Sequence, residues 1–178
     1  DINVIINAGD AHTAFSGGDV WNDPKLSATI RKWVHEGHGF IGVGEPSAYH
    51  KGGRFFQLAD VLGVDKELGF TLSTDKFFFD VKENHFIAQD LEGDFVFGEQ
   101  VNNTYSVYED TEILAMDNEN ITLSAHDYGK GRGIYMMGLP YSHENTRILS
   151  RAIFYAMRKE DDFEKFTSTN IHTELNVY

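Results

Sequence analysis

The residues best suited to chemistry lie in Phe40-Ile-Gly-Val-Gly-Glu-Pro-Ser-Ala-Tyr-His50, where an apolar run ends in Gly-x-Gly and Glu45 sits at the bend. In an open α/β sheet, ligands bind in the crevice beyond the carboxyl ends of the strands. One large group of such folds places a nucleophile at that bend, on a Gly-x-nucleophile-x-Gly turn. Here the position holds a carboxylate followed by Pro46, so the usual reagent is missing. A carboxylate beside backbone N–H groups binds a hydroxyl, acts as an acid, or caps a turn or helix start where negative charge is favoured. Ser47 lies two residues past Glu45, the wrong spacing for an activated hydroxyl. Asp10, His12, Ser16-Gly-Gly18, His50 and Arg54 fall in polar loops at the same expected edge, where loop polarity alone also explains them. The residues expected to face a substrate are Asp10, Glu45, Ser47, His50 and Arg54. No residue is assigned a catalytic role.

Gly129-Lys-Gly-Arg-Gly133 sets two cations among three glycines. It is either an anion cradle or a plain hairpin turn, and it matches neither a Walker nor a dinucleotide motif. The eight histidines are dispersed. His35 and His38 are near one another, but Gly37 separates them, and no helical His-Glu-x-x-His pair occurs. No metal site is expected.

The elements that must position these residues follow from apolar patterning. Ile2 to Ala8 reads as a buried parallel strand. Ala11 to Trp21 reads as a loop. Asp23 is placed to cap a helix with Pro24 at its first position; Leu26, Ile30, Trp33 and Val34 share one face, and Gly37 stops it. Gly39 to Val43 is the next strand, giving a right-handed strand–helix–strand unit. After Gly52-Gly53, Phe55, Phe56, Leu58, Ala59 and Leu62 read as a short helix ended by Gly63. Phe77-Phe-Phe79, Tyr105-Ser-Val-Tyr108 and Ile113-Leu-Ala-Met116 read as a smaller β-rich insertion. Ile121 to Tyr128 and Ile134 to Met137 form two strands around the glycine-rich turn, and Ser142 caps a helix over 143–159 with Ile148, Leu149, Ala152, Ile153 and Ala156 inward.

A length of 178 residues suits one domain with a sizeable core, and 41% hydrophobic and 13% aromatic content is that of a folded globular protein. With 28 acids against 15 bases, the formal charge of −13 repels phosphate backbones and anionic lipid surfaces. Neither a nucleic-acid nor a membrane partner is expected. The absence of cysteine removes disulfides, thiolate ligands and thiol nucleophiles and fits a cytoplasmic setting. No apolar run approaches the roughly 20 residues of a membrane span. The chain opens inside a strand-like run, and Ile171, Leu175 and Val177 near its end suggest another, so it reads as a segment of a larger polypeptide. An α/β domain over 1–166 is expected, followed by a linker over 167–178.

Val4-Ile-Ile-Asn-Ala-Gly-Asp10, Phe40-Ile-Gly-Val-Gly-Glu-Pro-Ser-Ala48, Gly53-Arg-Phe-Phe-Gln-Leu-Ala-Asp-Val-Leu-Gly-Val-Asp-Lys-Glu-Leu-Gly69, Tyr128-Gly-Lys-Gly-Arg-Gly133 and Gly138-Leu-Pro-Tyr-Ser-His-Glu-Asn-Thr-Arg147 together resemble the galacto-N-biose/lacto-N-biose phosphorylases. The resemblance spans most of the chain. It implies a flavodoxin-like, class I glutamine amidotransferase-like three-layer α/β fold with a mostly parallel sheet and a β-rich insertion, lacking its upstream start and first strand in this chain and leading over 167–178 into a β-rich domain, set within a multidomain cytoplasmic enzyme. The parent reaction is reversible phosphorolysis: phosphate attacks the anomeric carbon of a β-1,3-galactosyl-N-acetylhexosamine with inversion, releasing galactose 1-phosphate and the N-acetylhexosamine. Phosphate takes the place of the activated water of an inverting glycosidase, so one general acid suffices. In the family that acid belongs to a barrel domain, and Glu45 is not its counterpart. The bend lacks the amidotransferase cysteine, which excludes glutaminase activity. The implied partners are the barrel domain, the disaccharide, inorganic phosphate as co-substrate and a second copy in a homodimer; no cofactor is implied. The competing expectations are a free-standing sugar-binding module and an oligomerisation scaffold of the same fold.

Overall fold

The computed structural model describes residues 2–69, 80–89, 95–98 and 101–163. Phe77 to Phe79 and the stretch 167–178 lie outside the described residues. β1 (Val4–Gly9) and β2 (Gly39–Gly44) pair in parallel through α1 (Pro24–His35). The Asp23 carboxylate accepts the Lys25 N–H at 2.8 Å and caps α1 as its position predicts. The loop between β1 and α1 contains a 3-10 turn, Gly18–Asn22. It is pinned by buried Trp21, whose Nε1–H donates to the Ser16 carbonyl at 2.6 Å.

The reading of 55–62 as one helix is corrected. Ala48–Lys51 (β3) and Arg54–Phe56 (β4) form an antiparallel hairpin, and the helix is only Ala59–Leu62 (α2). The reason is non-local: the Asp65 carboxylate takes the N–H groups of Phe55 (3.2 Å) and Phe56 (2.8 Å). Val64–Lys66 (β5) then pairs with Thr104–Ser106 (β6). Glu112–Asp117 (β7), Asn120–Tyr128 (β8) and Gly131–Met136 (β9) form an antiparallel meander. Gly129 takes the positive φ (62°) of a tight turn between the last two strands. Ser142 caps α3 (His143–Ala156), accepting the Asn145 N–H at 3.0 Å, and α4 (Glu160–Phe163) follows.

The main sheet runs β1-β2-β9-β8-β7. Two of its pairings are parallel and two antiparallel, so it is mixed, not mostly parallel. Ile113 to Met116, read as part of a separate insertion, belongs to this sheet. Side-chain alternation assigns the layers. A β-carbon at Gly39 would lie 2.5 Å from that of Ala156 in α3, whereas Phe40, Gly131 and Gly133 occupy the opposite face, against α1 and α2. The core is Phe40, Ile41, Phe56, Leu62, Ile134 and Tyr135 with Ile148 and Ala152 of α3. On α3, Asn145 and Arg151 are also buried, where patterning predicts only apolar residues. The Arg151 guanidinium lies over the Phe86 and Phe163 rings, at 4.9 and 4.8 Å, and donates to the Phe86 carbonyl at 2.9 Å.

The glycines of the 129–133 motif are packing residues. A β-carbon at Gly131 would collide with the carbonyls of Val34 and His38, and one at Gly133 with the carbonyl of Val61. Gly133→Ala is therefore expected to destabilise the chain by about 2 kcal/mol, the usual scale of overpacking. A urea unfolding midpoint lying close to that of the unsubstituted chain contradicts this contact.

His85 adds a pH dependence. It is 5% exposed; its Nδ1 accepts the Ile87 N–H at 3.1 Å and its Nε2 faces Glu112 at 3.1 Å. Burial pushes its pKa down to about 4, outweighing the opposing pull of Glu112. Below about 6.5 the unfolded chain takes up this proton while the folded chain resists it down to about 4. This residue therefore makes stability fall as pH drops through that window. Comparing His85→Gln with the unsubstituted chain by thermal unfolding at pH 7, 5 and 4 isolates the effect, and the variant is expected to show the shallower loss.

Candidate functional site at the carboxyl edge of the sheet

β1 and β2 end side by side at Gly9 and Gly44. The left-handed residue of the bend is Gly44 (φ +80°). A side chain there would be strained, and its β-carbon would sit 3.0 Å from the Gly9 carbonyl. The turn position expected to hold the carboxylate thus holds no side chain at all, and Glu45 stands one residue beyond it.

Glu45 closes the edge. Its N–H donates to the Gly9 carbonyl at 3.0 Å, and its Oε2 accepts the Ala11 N–H at 2.8 Å. Its Oε1 pairs with the Lys66 ammonium, both side chains being largely shielded. The ammonium also stands over the Phe55 ring at 5.2 Å. One carboxylate thus ties β2 to the loop after β1 and to β5. Beneath it the Tyr135 hydroxyl donates to the Gly44 carbonyl at 3.3 Å. The phenol's pKa is pushed up, by burial first and by Glu45 second.

Ser47 is fully buried, with φ +52°. Its N–H donates to Asn7 Oδ1 at 2.7 Å and its Oγ accepts the Leu58 N–H at 3.1 Å. Asn7 donates in turn to the Ser16 carbonyl at 2.9 Å, and Ser16 Oγ donates to the Asp10 carbonyl at 2.6 Å. Arg54 Nη1 stands 3.6 Å from Asp65 Oδ2. Asp65 is 0% exposed, and burial raises its pKa despite three backbone N–H donors to Oδ1. Asp10 and His50 are exposed at the rim; His12 (φ +60°) meets the Tyr49 ring edge-on at 6.1 Å. The structure therefore draws Glu45 and Ser47 together with the loop that follows Asp10, and turns Arg54 toward Asp65.

Sequence reasoning missed Asn7, Asp65 and Lys66. Asn7 carried one signal, a polar residue inside an otherwise apolar strand. In the glycine-rich motif, Arg132 pairs with Glu160 and Asp127 and stacks on Tyr155 at 3.8 Å. His38 stacks on Trp33 at 4.4 Å, and the His35 ring packs against Gly129. Among the described residues, no three His, Asp or Glu side chains group as metal ligands, and no helix is long and apolar enough to cross a membrane.

Chemically, this edge is a set of acceptors that hold backbone N–H groups, crossed by the Glu45–Lys66 and Arg54–Asp65 ion pairs. Glu45→Ala removes both functions. It is expected to cost about 2 kcal/mol, the scale of a hydrogen bond to a charged group, and to speed exchange of the Ala11 amide. An unchanged denaturation midpoint with an unchanged Ala11 amide contradicts the clamp.

A mixed sheet with helices on both faces, closed at its carboxyl edge by Glu45 and Asp65, defines an α/β domain. The solved structure of a cytoplasmic protein of Salmonella typhimurium shares the fold, with a TM-score of 0.57 at 15% identity over 86% of this chain and 71% of that one. Residues 1–161 match the family model of the lacto-N-biose phosphorylase central domain, and the chain belongs to that family. A 1,3-beta-galactosyl-N-acetylhexosamine phosphorylase of Bifidobacterium longum is 44% identical over 98% of this chain and 28% of its own length. One of Lachnoclostridium phytofermentans is 43% identical over 100% of this chain and 24% of its own. The chain thus spans about a quarter of the length of these relatives.

Proposed function

We propose that this chain is a non-catalytic central domain of a cytoplasmic phosphorylase that reversibly converts β-1,3-galactosyl-N-acetylhexosamine and inorganic phosphate into galactose 1-phosphate and N-acetylhexosamine, with no further cofactor. The general acid resides in a barrel domain of the same polypeptide. This domain, of the amidotransferase-like class over 1–166, packs against that barrel, helps close the sugar cleft and contributes to a homodimer. Residues 167–178 lead toward the next domain.

The observation that carries the reading is the match of 161 of 178 residues to the phosphorylase central domain. The geometry of the edge supports the non-catalytic part. Both oxygens of Glu45 already have partners, a backbone N–H and a lysine, and the Ser47 hydroxyl is buried against a backbone N–H. A proton-transfer residue has to reach its substrate within hydrogen-bond distance. Glu45 and Ser47 accordingly shape the loops, while Asp10, His50 and the outer part of Arg54 face the cleft.

The test uses the full-length protein. Removing a proton-transfer group costs about 10²–10⁴-fold in rate. Asp10→Ala and His50→Ala are expected to keep kcat for phosphorolysis within about 3-fold of the unsubstituted enzyme, far short of that loss. A hundredfold or greater fall in kcat at an unchanged melting temperature would place a reacting group in this domain and overturn the assignment.

A further inference from the structure

The loop between β1 and α1 is tied down along its whole length. The Asp10 carbonyl accepts the Thr13 hydroxyl at 2.7 Å and the Ser16 hydroxyl at 2.6 Å. The Ser16 carbonyl accepts Asn7 Nδ2–H at 2.9 Å and Trp21 Nε1–H at 2.6 Å, and Glu45 holds the Ala11 N–H. The far end is fastened as well: Lys51 of the β3–β4 hairpin donates to the Asn22 carbonyl at 2.8 Å and to its side-chain oxygen at 2.9 Å. Ser16 and Trp21 are buried by these ties, yet Phe15, the residue before Ser16, is 87% exposed.

Main chain sets where Phe15 stands. Gly9 has φ +130°, and a β-carbon there would lie 2.9 Å from that of Phe15. The loop thus returns over the end of β1, a path that glycine permits, and seats the root of the Phe15 side chain on it. A flexible loop would turn so large an apolar group inward. A loop fixed in this way keeps the ring in place for something outside the domain.

The setting of the ring indicates its partner. Asp10, Asp19 and His50 are exposed at the same edge, and Val20 is the one other large apolar side chain that this loop exposes. A protein-docking patch is broad, with an apolar centre low in charge. An isolated aromatic ring among carboxylates and an imidazole suits a sugar instead. The electron-rich face of the ring attracts the C–H bonds of a pyranose, and the polar groups pair with its hydroxyls.

We infer that Phe15 is a specificity-determining contact of the parent enzyme, its ring stacking on the N-acetylhexosamine of the disaccharide. This rests on the phosphorylase reading above. In that reading the galactosyl anomeric carbon meets phosphate and the general acid in the barrel, so the sugar within reach of a second domain is the leaving one. A contact remote from the reacting bond is made alike in the ground and transition states, and it shows in KM and not in kcat.

The test runs the full-length protein in the synthetic direction, from galactose 1-phosphate and N-acetylhexosamine, with Phe15→Tyr, Phe15→Leu and Phe15→Ala. Stacking needs an aromatic face, whereas a merely apolar contact accepts leucine. Phe15→Leu and Phe15→Ala are each expected to raise KM for the N-acetylhexosamine about 10-fold, with kcat and KM for galactose 1-phosphate within about 2-fold of the unsubstituted enzyme. Phe15→Tyr is expected to keep the original KM. A leucine variant with the KM of the unsubstituted enzyme overturns the inference, as does a rise confined to galactose 1-phosphate. A fall in melting temperature for Phe15→Ala, with leucine matching phenylalanine in both KM and melting, also overturns it and assigns the ring to an apolar seat on the barrel. Unsubstituted protein that does not phosphorolyse the disaccharide removes the phosphorylase reading and this inference together. An active enzyme indifferent to Phe15 removes this inference alone.

Discussion

Main chain lying directly on main chain is the constraint from which this domain follows. At Gly131 and Gly133 the carbonyls of Val34, His38 and Val61 occupy the space where a β-carbon would stand. Helix-on-sheet layers are ordinarily held apart by side chains; here α1 and α2 come down onto β9 with nothing between. That approach brings the start of the β3–β4 hairpin near the ends of β1 and β2. It also links α1 to α2 through Arg31 and Asp60 at 2.6 Å. The glycine-rich motif is thus the seat of two helices, and its Arg132 is bound by neighbouring acids.

Backbone N–H groups in β4, β5 and the adjoining loops need partners as they leave water, because a buried unpaired donor is costly. Buried acceptors supply the partners. Asp65 serves Phe55, Phe56 and Lys66; Glu45 serves Ala11; Asn7 serves Ser47; Ser47 in turn serves Leu58. Polar side chains clustered at the carboxyl edge of an α/β sheet resemble an active site because the same residue types suit both tasks. Here each of these acceptors ties one stretch of backbone to another.

What was legible in the sequence was local. The caps at Asp23 and Ser142, the turn at Gly129 and the first strand–helix–strand unit depend on residues a few positions apart, and each appears as patterning predicts. Phe55 and Phe56 were misread because a short apolar run fits either period, and the deciding partner, Asp65, is nine or ten residues away. β7 was assigned to an insertion because only pairing with β8 makes it part of the main sheet. The bend was located to within one residue: Glu45 was visible, but the left-handed backbone belongs to Gly44. Lys66, the partner that explains Glu45, lies 21 residues downstream and has no local signature.

The parallel junction of β2 with β9 joins Gly39 to Arg132, whereas β7, β8 and β9 are linked by tight turns. Loop closure grows costlier with the length of chain enclosed, and distant pairings slow folding. The middle of this sheet is therefore the seam of the domain. The meander forms from neighbours, but the strand–helix–strand unit joins it across the nearly one hundred residues that separate Gly39 from Arg132. Damage to the seam separates two pieces that are each locally connected, so its glycines matter to the order of assembly as well as to the finished layers.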